Sequence, residues 1–146
     1  MKALMTVTVL AAGLALAAPA VADEGCSVQD IAGRWVFATE VGQFPAFGGD
    51  ITAIGTMNID GEGNLNGKFD ATVASVRFLP GIPYNGSVEV NDDCTGTLRF
   101  VTGAGTVRTD SIVVLGRNEM WGMSQNPGNL WTYRVRRISS RPAEAR

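Results

Sequence analysis

Arg108 and Asp110 stand two residues apart in "TVRTDSIVVLG", so an extended strand puts both on one face together with Ile112. Glu119 shares a face with Trp121 in the same way, Arg77 is in phase with Val73, and Tyr84 and Tyr133 add hydroxyls. A carboxylate inside an apolar cavity has a raised pKa, and proton transfer near neutral pH is then open to it. Asp110, Glu119, Tyr84 and Tyr133 are therefore the catalytic candidates if the chain is an enzyme. The competing reading of the carboxylates is an ion pair at the rim of the fold.

Other chemistries lack their parts. The chain has no histidine, so a nucleophile would have no imidazole base, and no glycine-rich phosphate loop precedes a helix. Asp60, Glu62 and Asn64 alternate, and Asp92 adjoins Asp93, but neither group has the distant bidentate carboxylate that a calcium loop needs. Turn formation accounts for both. No metal and no cofactor is expected.

A second set of residues suggests a container. Trp35, Phe37, Met57, Phe69, Phe100, Trp121, Met123, Trp131 and Tyr133 fall, by alternation, on strand faces taken as inward. Ile59, Leu65, Val73, Val88, Leu98, Ile112, Val114 and Val135 accompany them. Such a set is either a packed core or a cup for a flat, greasy guest, with methionine as the adaptable wall.

The elements that must position these residues are almost all strands. "SVQDIAG" makes one short N-terminal helical turn, with Ser27 as cap and Asp30 completing a box-like arrangement. Eight strands follow, over 33–40, 51–60, 64–78, 84–91, 94–102, 106–115, 117–124 and 130–138. Their hairpins recur, as in "TMNIDGEGNLNGKF" and "SVEVNDDCTGTLRF", and sequential hairpins describe a meander. Closure removes the exposed edges, so the reading is all-β: an eight-stranded antiparallel up-and-down β-barrel with room inside for side chains or one small molecule. Two longer connections remain, "VGQFPAFGGD" (41–50) and "LPGIP" (79–83). The first exposes Phe44 and Phe47, as a lid at the barrel mouth or an interaction surface would.

Residues 1–22 read as a secretory signal, with Lys2, an apolar run and the small-residue site Ala20, Val21, Ala22. Pro19, Asp23 and Glu24 cut that run short of a bilayer span, so no membrane span is expected once the signal is cleaved. The division is then 1–22 signal, 23–32 N-terminal segment, 33–138 barrel and 139–146 flexible tail, in a secreted or periplasmic protein. Without Lys2 the formal charge is 11 − 14 = −3, which excludes a nucleic-acid surface built on net basicity. Cys26 and Cys94, the only cysteines, read as one disulfide in an oxidising compartment.

"DIAGRW", a short turn followed by Gly33, one residue and Trp35, resembles the opening of the lipocalins and, more loosely, of the avidins. The lipocalin resemblance implies that Trp35 closes the barrel base beneath an arginine from the last strand, for which Arg134, Arg136 and Arg137 are candidates. The chain departs from lipocalins in having no room after Ile138 for their long outer helix, and from avidins in lacking the polar cluster that captures biotin. The hairpins around "NDDCTGTL" are similar to a group of small secreted bacterial barrel proteins with no established function. Three functional readings stand at this point. The first is a barrel that binds a small hydrophobic molecule inside, the second a barrel-interior cyclase or isomerase, and the third a cell-envelope module with a filled core and a protein partner.

Overall fold

The computed structural model describes residues 25–45, 48–74 and 77–141. The expected signal, Phe47 and the end of the expected tail lie outside the described residues. One short helix, α1 (Val28–Ile31), precedes eight strands: β1 (Gly33–Phe44), β2 (Gly49–Ile59), β3 (Asn64–Val73), β4 (Arg77–Val90), β5 (Thr95–Thr102), β6 (Val107–Val114), β7 (Glu119–Ser124) and β8 (Leu130–Ser139). Each strand pairs with its sequence neighbours, and β8 pairs antiparallel with β1, so the sheet is a closed up-and-down barrel. Alternation does what the sequence predicts along β2: Ile51, Ala53, Met57 and Ile59 are buried, while Thr52, Ile54 and Thr56 face water.

The turns explain the carboxylates that invited a calcium reading. Asp60 Oδ1 accepts the backbone N–H groups of Glu62 and Asn64, both at 2.9 Å, and Asp60 Oδ2 accepts the Asn64 side-chain amide at 2.8 Å. These bonds hold the Asp60 carboxyl below its ordinary pKa, the Asn64 side chain contributing most. Asp93 does the same for Thr95.

One end of the barrel is sealed by α1. Asp30 accepts the Ser27 N–H at 2.9 Å and the Ser27 hydroxyl at 2.6 Å, which fixes the helix start. Gln29 donates to Gly61 O in the β2–β3 turn, and Arg137 of β8 donates to Asp30 O. The Cys26–Cys94 disulfide, with its Cα atoms 4.8 Å apart, ties the same segment to the β4–β5 turn. Closing a loop of that length in the unfolded chain corresponds to about 4 kcal/mol in the chain-entropy account. Beneath α1, Trp35 is fully buried and donates its indole N–H to Ile31 O at 2.9 Å. The Arg137 guanidinium lies 4.6 Å from the Trp35 ring centroid, so Arg137 is the arginine that covers the indole.

Three expectations are corrected. β1 runs on to Phe44 rather than ending at residue 40, which leaves little of the 41–50 connection as a loop. A register shift permits this: Thr39 Oγ1 both donates to Ala53 O and accepts from Ala53 N, filling in where the ladder between Ala38 and Gln43 lapses. β3 stops at Val73, and "LPGIP", expected as a connection, lies inside β4. There a second register shift, between Phe69 and Ala71, is bridged by Asp70 Oδ1 accepting Gly81 N–H at 2.7 Å. Arg77 consequently begins β4 directly opposite Val73, on the same face as expected, but at the strand's end, where its side chain is exposed.

The third correction concerns β7, whose inner face carries Met120 and Gly122 rather than Trp121 and Met123. Trp121 is 43% and Met123 51% exposed. A one-residue change of phase moves every side chain of a strand to the other face. Gly122 sets the phase here, because it pairs with Tyr133 and a Cβ on it would lie 2.1 Å from that ring.

Candidate functional site

The barrel interior has two different ends. Toward α1 it is filled by Trp35, Ile59, Met120 and Val135. Toward the β1–β2 and β7–β8 turns it is aromatic and charged. Phe37 is the hub of the rings, with Tyr133 at 5.9 Å, Phe69 at 6.3 Å and Tyr84 at 6.5 Å between centroids. Tyr84 adds Phe100 at 5.3 Å, and Trp131 joins Tyr133 and Phe69 to Phe44. All of these rings except Phe44, with Met57, Leu98 and Asp110, surround a void of about 20 Å³. That is one water's worth of space, and a flat guest needs a side chain to move first.

Arg108 and Asp110 share the inner face of β6, as their spacing predicts, but they lie inside the barrel and not at an open rim. Asp110 is 1% exposed and Arg108 5%. The guanidinium lies against two adjoining rings, 4.5 Å from the Phe44 centroid and 4.6 Å from that of Trp131. Its NH2 donates to Ser124 Oγ at 3.1 Å and stands 3.8 Å from Asp110 Oδ1, an ion pair too long to be a hydrogen bond. The other carboxylate oxygen accepts the Tyr133 hydroxyl at 3.0 Å. Asp110 Oδ1, Arg108 Nε and Trp131 Nε1 are buried without a hydrogen-bond partner.

The electrostatics follow from burial. Desolvation raises the Asp110 carboxyl above its ordinary value, against the opposing pull of Arg108 and the Tyr133 hydrogen bond. Desolvation likewise lowers Arg108, and it raises Tyr133, which the adjacent Asp110 charge raises further. Tyr84 is also raised by burial and donates to Thr56 O at 2.8 Å.

Seven of the nine expected wall residues turn inward: Trp35, Phe37, Met57, Phe69, Phe100, Trp131 and Tyr133. Trp35 sits at the sealed end, away from the void, and Trp121 and Met123 lie outside. Glu119 is on the outer surface with Trp121, whose indole N–H it accepts at 3.0 Å, and its Oε1 is 3.6 Å from Arg134 Nε. Of the acid–base candidates, Asp110, Tyr133 and Tyr84 are brought to the void and Glu119 is not. Phe44, expected at an exposed mouth, is 2% exposed and forms part of the interior. Leu98, expected to face inward but not named as a ligand-binding residue, lines the void.

Gly122 makes the packing around Tyr133 possible. Gly122→Ala forces that ring to shift, since a Cβ would meet Tyr133 Cζ at 2.1 Å and its hydroxyl oxygen at 2.4 Å. The expected loss is about 1–3 kcal/mol, the usual cost of overpacking a core. Chemical denaturation would measure it, and perturbed Tyr133 ring resonances in NMR would locate it.

No protein-family model matches the chain, and no curated protein sequence does. Solved structures of designed barrels do resemble it. A de novo designed fluorescence-activating β-barrel is 15% identical with a TM-score of 0.55, over 75% of this chain and 95% of its own. The redesigned barrel mFAP1, bound to DFHBI, is 16% identical with a TM-score of 0.56, over 76% of this chain and 98% of its own. The related mFAP0, also bound to DFHBI, is 17% identical with a TM-score of 0.54, over 74% and 99%. At these identities the likeness is one of fold. Among the described residues no helix is long and apolar enough to cross a membrane.

Proposed function

We propose that this barrel binds one small, largely apolar molecule in its interior, at the aromatic end around Phe37, Phe69, Phe100, Trp131 and Tyr133. The observation that carries the reading is a charged, incompletely hydrogen-bonded pair, Arg108 and Asp110, buried among those rings. A buried ion pair with unpaired atoms is costly compared with an apolar filling of the same volume, so stability alone does not account for it. Designed barrels of similar fold bound to DFHBI support a fold able to hold a small molecule. Entry proceeds by displacement of Phe44, which meets Trp131 edge to face at 5.2 Å beside Arg108. The disulfide supports a location outside the cytoplasm, as the apolar leader does.

Titration with N-phenyl-1-naphthylamine, followed by tryptophan quenching and by NMR, tests the reading. The expected result is saturable one-site binding that shifts ring resonances of Phe69 and Phe100 and leaves those of Phe78, 62% exposed on the outer surface, unchanged. Absence of saturable binding, or shifts confined to the outside, would make the barrel a filled scaffold. Its exposed Val113, Trp121 and Met123 would then be the surface to pursue. The cyclase or isomerase reading is favoured by one observation, the raised pKa of Asp110 beside the void. It requires turnover that Asp110→Asn abolishes while binding persists.

A further inference from the structure

We infer that the guest is a neutral aromatic hydroxyl compound, of the phenol or naphthol class, whose oxygen is held by Asp110 and Trp131. The inference rests on the interior binding proposed above and adds the chemistry of the ligand. Two buried polar atoms on residues that line the void have no hydrogen-bond partner, Asp110 Oδ1 and Trp131 Nε1. One is an acceptor and the other a donor. A hydroxyl is their complement, with one O–H to donate and two lone pairs to accept.

Size and charge narrow the class. The void beside Asp110 and Trp131 measures about 20 Å³, so the polar group that enters it is one heavy atom, and a carboxamide brings a second. Arg108 and Asp110 already neutralise each other at 3.8 Å. A carboxylate guest sets a second anion against Asp110, and an ammonium guest sets a second cation against Arg108, each in a site too dry to screen it. The body of the guest takes the place of the Phe44 ring, which now lies 4.5 Å from the guanidinium, and Trp131 stays where it is. No proton is transferred: the hydroxyl donates to Asp110 Oδ1 and keeps its hydrogen.

Calorimetric titration of the protein with 2-naphthol, 2-methylnaphthalene and 2-naphthoate tests this. The first two have nearly the same shape and differ in the hydroxyl. 2-Naphthol is expected to bind about 10- to 100-fold more tightly than 2-methylnaphthalene, the factor that a hydrogen bond to a charged group supplies. It is also expected to bind more tightly than 2-naphthoate. The preference over the methyl compound should shrink in Asp110→Asn, which removes the acceptor's charge, and in Trp131→Phe, which keeps a ring and deletes one donor. Equal binding of 2-naphthol and 2-methylnaphthalene, or tighter binding of 2-naphthoate, overturns the hydroxyl assignment and leaves interior binding standing. Binding of none of the three, nor of N-phenyl-1-naphthylamine, overturns both. The comparison of ligands on the unaltered protein decides the matter even if a variant fails to fold.

Discussion

Arg108→Met is expected to destabilise the barrel by about 3–5 kcal/mol at neutral pH, the cost of leaving a buried charge without its partner. Methionine keeps much of the aliphatic bulk beside Phe44 and Trp131, so the loss reports the charge more than the packing. The loss is also expected to depend on pH, with a definite sign. The Asp110 carboxyl is raised in the fold relative to its ordinary value of 3.8, desolvation being the main cause, and Arg108 opposes that rise. Between 3.8 and the raised native value the folded state binds more protons than the unfolded one, so stability falls as pH rises through that window. Without Arg108 the native value climbs further, and the deficit of the variant grows toward neutral pH. In acid, where Asp110 is protonated in both states, the deficit shrinks toward the packing cost alone. Asp30, Asp60 and Asp93 have lowered values and act in the opposite sense below 3.8, but they lie on the surface and cancel when variant and parent are compared at each pH. Adding Asp110→Leu should restore most of the lost stability, since replacing both members of a buried pair by apolar groups is often neutral. Denaturant unfolding across pH 4 to 8 would measure all of this. A deficit that is flat with pH, or a double variant as unstable as the single, would show that Asp110 carries no uncompensated charge in the fold.

Much of this architecture was open to reading in the chain because its causes are local. Period-two alternation marks β2 and β6, Asp60 and Gly63 mark a turn, and Ser27 with Asp30 marks the start of α1. The Cys26–Cys94 pairing was equally legible, since the chain contains no other cysteine. The inward facing of Arg108 with Asp110 follows from their spacing alone. What failed depends on partners far away in sequence. "EMWGMS" has apolar residues on both faces, so its alternation does not choose a phase. The choice is made by the Tyr133 ring, which needs a glycine opposite it. The burial of Phe44 was hidden for a similar reason. Its approach to Arg108 and Trp131 needs a strand that continues past a register shift, and neither glycine nor proline content reveals one. The size of the interior void could not be read at all, because it is the small remainder left when large side chains from every strand meet.

Phe44→Ala is expected to have opposite effects on stability and on binding. The ring is 2% exposed, meets Trp131 edge to face at 5.2 Å, and covers the Arg108 guanidinium at 4.5 Å. Deleting it forfeits burial, the ring contact and the cation–π contact together, so a loss of about 3–5 kcal/mol in denaturant unfolding is expected. The space it vacates adjoins the void lined by Trp131 and Asp110, and a cavity lined by apolar rings admits an apolar guest readily. If Phe44 is the closing element, N-phenyl-1-naphthylamine should then associate faster and bind more tightly, because the cost of displacing the ring is no longer borne by the guest. General loosening of the barrel must be separated from this. Ile59→Ala provides the comparison: Ile59 is fully buried at the α1 end, and its loss costs about 2–5 kcal/mol without touching the aromatic end. A gain in probe binding from Phe44→Ala and none from Ile59→Ala locates the entrance at the barrel end where β1 finishes and β8 begins, beside Arg108. Equal gains from both would mean that any weakened barrel takes up the probe, and the aromatic end would then have no special claim to be the door.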